Sequence, residues 1–225
     1  LEPVHHRHRP RCAGGRYPLV SDRGTTASLD LNAPGACSLA VHIVLRELDT
    51  DFSLAEVDLT THRAGEQDFF SLSAHGRVPL LILDDGTRLT EGPAICQYLA
   101  DHFQRRDLLP AAGSLERFRV HEWQNLIATE LHKNFAPFFK PGYPDASRAR
   151  ARDTLENTFD WIAHQLTQHD FLTGDTFTLA DAYLFTVTGW ADVAGIALPE
   201  RLQTYRKTLI RRDRVRQAMK AESLL

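Results

Sequence analysis

The chain is poor in several things, and each shortage excludes a class of protein. No apolar run approaches the ~18 residues of a membrane-spanning helix; the longest strong one is Val78 to Leu83. Methionine occurs once, at Met219, and cysteine three times, at Cys12, Cys37 and Cys96. An odd cysteine count without C-x-x-C spacing argues against a secreted disulfide scaffold and fits a reducing cytoplasm. Charge of one sign is also lacking. Lys and Arg total 26 against 29 Asp and Glu, so the net charge of −3 makes no electrostatic case for nucleic acid.

What is present fits an ordinary folded chain. Of 225 residues, 43% are hydrophobic and 24% charged, enough to build a sizeable core. The length suits one large domain or two of about 100 residues. The first 27 residues differ from the rest. They carry Arg7, Arg9, Arg11, Arg16 and Arg23 against Glu2 and Asp22, with Pro and Gly throughout and no hydrophobic periodicity. Such a segment cannot offset its ordering entropy and reads as a disordered or non-native tail. It lacks the apolar stretch of a signal peptide. His5, His6 and His8 read as incidental, because no Cys or carboxylate nearby completes a metal ligand set; no metal site is expected.

From residue 28 the pattern is β-α-β-α-β-β-α. Leu29–Asn32 alternates as a short strand, although Asp30 is awkward in it. Cys37–Leu48 is an amphipathic helix, Phe52–Leu59 a second strand, and Gln67–Leu72 a short helix or ordered loop. Val78–Leu83 is a buried strand opened by a proline. Asp85-Gly86 signals a hairpin, and Thr90-Glu91-Gly92 opens a helix reaching about His102. A parallel βαβ unit with a closing hairpin and helix makes a small α/β domain over 28–105. Gln104–Gly113 reads as a linker, and no strand pattern follows it. Residues 113–225 form an all-α domain. Its elements are a long helix over Ser114–Phe139, a second over Asp145–Gln168 and a third opened by the Thr178–Asp181 capping box. Two shorter helices end the chain.

Cys96 lies inside a helical pattern and reads as a small apolar side chain. Cys37 follows the turn Pro34-Gly35-Ala36 and stands at a helix N-terminus. The unpaired N–H groups there can lower a thiol pKa, which would make it reactive; a mere capping residue is the even alternative.

Taken in order, Pro34-Gly35-Ala36-Cys37-Ser38, Val78-Pro79, Thr90-Glu91-Gly92-Pro93-Ala94-Ile95, the block Glu122 to Lys133 and Phe177 to Tyr183 resemble the bacterial beta-class glutathione transferases. The likeness covers residue 28 to the end. It implies a thioredoxin-like glutathione-binding domain, a helical domain that shapes an acceptor pocket, and a cytoplasmic homodimer acting in detoxification. Glutathione is then a co-substrate and no separate cofactor is implied; the partners are glutathione and a small electrophile, with neither nucleic acid nor membrane.

By the same resemblance Val78, before a cis Pro79, offers its main chain to the glutathione cysteinyl unit, as a strand edge takes a peptide. Glu91 meets the γ-glutamyl ammonium, and the Gly92 N–H its carboxylate. Asn125, Thr129 and His132, at i, i+4 and i+7, share one helix face toward the cleft. Cys37 and His132 attend the sulfur as the catalytic pair. His62, or Arg63 beside it, stands where a basic residue meets the glycyl carboxylate. Asp30, Asn32 and Gly92 depart from the family pattern, Gly92 by lacking a hydroxyl. The implied reaction is conjugation of the glutathione thiolate to an electrophile. Thiol–disulfide exchange through Cys37 and a non-catalytic binding module are the alternatives.

Overall fold

The computed structural model describes residues 28–225, so the tail with its histidines and Cys12 lies outside the described residues. A four-stranded sheet has the order β2-β1-β5-β6. Strand β1 (Ser28–Asn32) runs parallel to β2 (Phe52–Glu56) and antiparallel to β5 (Leu80–Ile82), which pairs with β6 (Arg88–Thr90). Helix α1 (Ser38–Leu48) makes the parallel crossover, and α2 (Gly92–His102) closes the unit. The expected βαβ-hairpin-helix order is therefore present. Between β2 and β5 the chain is more extended than expected. A two-residue hairpin, β3 (Arg63–Ala64) with β4 (Gln67–Asp68), precedes a single 3-10 turn at Phe69–Ser71.

Strand alternation sorts the core into two layers. Leu31, Leu80 and Ile82 face one side with Ala55, Val57, Phe69 and Val78. Leu81 faces the other, under α1 and α2. Every residue from Ser38 to Leu45 is buried, because α1 is covered by the sheet, by α2 and by two later helices, Leu179–Thr188 and Asp213–Ala221.

The helical part holds α3 (Leu115–Leu126), α4 (Ala136–Phe139), α5 (Asp145–Gln165), α6 (Leu179–Thr188), α7 (Glu200–Ile210) and α8 (Asp213–Ala221). All ten residues of α6 are buried, as expected of a helix apolar on every side. Asp181 secures its start. Its carboxylate accepts the Thr178 N–H at 2.8 Å, the Leu172 N–H at 2.9 Å and the Tyr205 hydroxyl at 2.7 Å. One continuous apolar cluster joins α1 and α2 to these helices.

Two expectations are corrected. The long helix over Ser114–Phe139 is interrupted: a π-turn at Ile127–Leu131 and a 3-10 stretch at His132–Phe135 separate α3 from α4. The stretch read as a linker is anchored, since Leu108 and Leu109 are buried and the Leu108 carbonyl accepts the Leu179 N–H at 3.2 Å. No helix of the described residues is long and apolar enough to cross a membrane.

Candidate active site

Cys37 is the N-cap residue of α1 and makes no side-chain capping bond. Its thiol instead donates to the Val78 carbonyl at 3.2 Å. That bond crosses from the helix start to the loop entering β5, where the Val78–Pro79 peptide is cis. Burial pushes the Cys37 thiol up to about 11, and the Glu91 carboxylate adds to the rise; its own backbone N–H and that of Ser38 oppose it. Of the two even readings of this helix N-terminus, the activated thiolate is the one that burial opposes: desolvation outweighs the terminal N–H groups.

Pro79 also touches the start of α2. A Cβ built on Gly92 would stand 3.7 Å from Pro79 Cγ, an ordinary contact. Before it, Glu91 is exposed with φ 67 and ψ 107, an unusual backbone for a residue with a side chain. It acts electrostatically on both Cys37 and Tyr183, which places its charge at this end of the sheet. Cys37, Val78, Pro79, Glu91 and Gly92 therefore surround one region. His62 sits at φ 52 with its ring against Phe70, centroids 4.5 Å apart. Its Nδ1 is buried without a partner. The ring reaches the Gly76 backbone, two residues before Val78.

His132 comes from the helical part. Its backbone N–H bonds Ile127 five residues back, and the wide turn inserts one extra residue. One residue is about 100° of helix rotation, so the i, i+4, i+7 alignment with Asn125 and Thr129 is lost. Those two remain exposed, and the Thr129 hydroxyl bonds the Asn125 carbonyl at 3.0 Å. His132 alone turns inward. Its Nδ1 lies 2.7 Å from the Tyr183 hydroxyl, and its ring meets Trp190 edge-to-face at 4.9 Å. Burial lowers its pKa to about 4, helped by the charges of Lys133 and Arg77, so the imidazole is neutral across physiological pH.

Trp190 ties this side to the other. Its indole N–H donates to the Gly35 carbonyl at 2.8 Å, two residues before Cys37. Phe135 and Phe139 pack on the same indole, 5.5 and 5.9 Å from its centre. Tyr183 and Trp190 were missed in the sequence as site residues. Tyr183 closes a capping motif and reads as structural; Trp190 carries no local signal.

A thioredoxin-like sheet with a cis proline, a cysteine at the first helix, and a helical layer bringing a histidine and aromatics against it define a glutathione transferase fold. Comparison with known proteins agrees. Residues 35–102 match the glutathione S-transferase N-terminal domain, and residues 145–221 its C-terminal domain. Over 194 residues the chain is 44% identical to glutathione S-transferase GstA of Escherichia coli O157:H7, covering 85% of this chain and 96% of that one. A solved beta-class glutathione S-transferase of Sphingomonas chungbukensis superposes with a TM-score of 0.84 at 37% identity, covering 88% of this chain and 100% of that one. A sphingomonad glutathione S-transferase complexed with glutathione superposes at 0.83, with 38% identity and the same coverage. The chain belongs to the glutathione S-transferase family.

Proposed function

We propose that the protein binds glutathione along the Val78 edge and joins its sulfur to a small electrophile in the cleft between sheet and helices. Family membership makes it an enzyme, a glutathione transferase. The observation that carries this mechanism is the placement of Cys37, whose thiol stands at the start of α1, 3.2 Å from the carbonyl of the residue before the cis proline. A neutral thiol can turn its one S–H from the Val78 carbonyl to a bound glutathione thiolate, whereas a Cys37 thiolate would repel it. The Val78 carbonyl has a second lone pair for the glutathione main chain, and the Val78 N–H completes the pair. Glu91 takes the γ-glutamyl ammonium and the Gly92 N–H the adjoining carboxylate. His62 takes the glycyl carboxylate, while Asn125 and Thr129 line the exposed flank.

His132 supplies the second contact to sulfur. On this reading the Tyr183 hydroxyl donates to Nδ1, which leaves the ring proton on Nε2, free to donate. Lowering the thiol pKa and holding both reactants in place is what such a site contributes. Trp190, Phe135 and Phe139 suit an apolar acceptor. We place the glutathione-binding domain at 28–105 and the acceptor domain at 113–225, working as a cytoplasmic homodimer in detoxification.

Thiol–disulfide exchange through Cys37 is the weaker reading, because a thiol at about 11 supplies little nucleophile near neutral pH. The test is retention on immobilised glutathione, then turnover of an aryl halide by the eluate. Conjugation should fall at least tenfold when Cys37→Ala and His132→Ala are combined. Undiminished conjugation in that double variant sinks the mechanism.

A further inference from the structure

Both oxygens of the Asp30 carboxyl are buried without a hydrogen-bond partner. The residue is 0% exposed and lies in central strand β1, opposite Leu54 and Leu81. Cross-strand partners share a face, so Asp30 points with Leu81 into the layer under α1 and α2. A second buried acid acts on Asp30 electrostatically. Glu222, just beyond α8, is 4% exposed and fully engaged. It accepts from His42 Nδ1 at 2.8 Å and from the Gly35 N–H at 2.9 Å. The Arg46 Nε–H donates to His42 Nε2 at 3.2 Å, which fixes a neutral ring with its proton on Nδ1.

Gly35 is therefore gripped through both its polar groups, the N–H by Glu222 and the carbonyl by Trp190. Its φ of 71 sets the turn that carries Cys37, and Leu224 closes over it, 3.4 Å from where a Cβ would stand.

The charges around the pair come from several elements. Asp30 faces Glu222, the Cys37 thiol on α1 and the Cys96 thiol on α2. Glu222 faces His42 of α1, whose far nitrogen accepts from Arg46, with Arg214 of α8 beside Arg46. The strands flanking Asp30 place Leu54 and Leu81 opposite it. Among the described residues no cation pairs with Asp30, so donors relieve only one of the two carboxylates.

We propose that Asp30 and Glu222 form a proton-dependent latch on the Cys37 turn. With Asp30 protonated, Glu222 holds Gly35. When Asp30 releases its proton to solvent, repulsion dislodges Glu222 and frees the turn. Burial, and then the Glu222 charge, hold the Asp30 carboxyl well above the usual carboxylate range. The folded state then keeps a proton that the unfolded chain gives up at about pH 4. Stability therefore falls as pH rises from there through the folded-state pKa.

The test is thermal unfolding of the full chain without glutathione between pH 5 and 9, for the wild type, Asp30→Leu and Asp30→Asn. Over the titration of Asp30, the wild-type folded-to-unfolded ratio should fall up to about tenfold more per pH unit than either variant's. The infrared carbonyl band of a protonated carboxyl should disappear in both variants. With glutathione added, the wild-type KM should climb at high pH relative to Asp30→Leu, with little change in the kcat ratio. Parallel pH slopes in all three proteins overturn the proposal, as does an unchanged carboxyl band. A KM that climbs equally in Asp30→Leu overturns the link to the Cys37 turn. Where Asp30→Leu does not fold, Asp30→Asn carries the comparison. The unfolding arm contains no glutathione, so it reads the latch independently of the proposed glutathione site.

Discussion

The Tyr183 hydroxyl stands 2.7 Å from His132 Nδ1 and is the one side-chain hydrogen-bond partner that the described residues give this imidazole. A buried residue of α6 thus orients the ring of a segment 51 positions earlier. Tyr183→Phe removes the bond and leaves the packing. A net loss of about 0.5–1.5 kcal/mol in stability is expected, with a fall in kcat larger than any change in KM. Steady-state kinetics beside a denaturant titration separate the two effects. An unchanged kcat shows that the ring needs no such partner.

His132 also predicts a pH response. Its pKa of about 4 lies below the ordinary value of 6.5. Between those two values the unfolded chain binds a proton that the folded state refuses. Stability from this group is therefore complete above about 6.5 and is lost as pH falls toward 4. Replacing His132 by Asn should flatten this part of the curve, which thermal unfolding between pH 4 and 7 measures.

The Cys37 thiol, at about 11, should alkylate slowly near neutral pH and about tenfold faster with each pH unit up to that value. Iodoacetamide labelling followed by mass spectrometry of the Cys37 peptide gives the rate. Cys37→Ser keeps a hydroxyl donor for the glutathione sulfur and should retain more activity than Cys37→Ala. Equal loss in both variants would count against the donor role.

Gly92 lacks the hydroxyl expected at the start of α2, yet nothing blocks one, since a Cβ there meets only Pro79 at 3.7 Å. Gly92→Ser should fold at least as well as wild type and tighten glutathione binding several-fold, by about 1 kcal/mol for the added hydrogen bond. Isothermal titration measures this. Weaker binding would place the γ-glutamyl carboxylate elsewhere.

Asp181 accepts bonds from two backbone N–H groups, the Thr178 hydroxyl and the Tyr205 hydroxyl, all buried. Asp181→Ala strands these donors at about 1–3 kcal/mol each. The variant should lose more than about 3 kcal/mol in urea unfolding, with activity falling only through the folded fraction.

Much of this was legible because local signals matched the fold. The Pro34-Gly35 turn, the apolar run at 78–83, the Asp85-Gly86 hairpin and the Thr178–Asp181 cap each act within a few residues, and each stands in the structure as an element or its boundary. What sequence could not supply depends on distant groups. The thiol state of Cys37 turns on how deeply the far elements bury it. The partner of His132 comes from α6, and the partners of Gly35 come from Trp190 and Glu222, 155 and 187 residues away. The π-turn escaped because Ile127 and Leu131 satisfy ordinary helical spacing; only the His132-to-Ile127 bond reveals the added residue.

That added residue makes the site a matter of counting. His132 faces Tyr183 and Trp190 because the chain between Ile127 and Leu131 holds one residue more than an α-helical turn allows. Deleting a single position there, even one whose side chain touches nothing, would wind the segment back to even pitch and swing the imidazole about 100° off its partners. The spacing of this segment, independent of its composition, is itself what aims the imidazole.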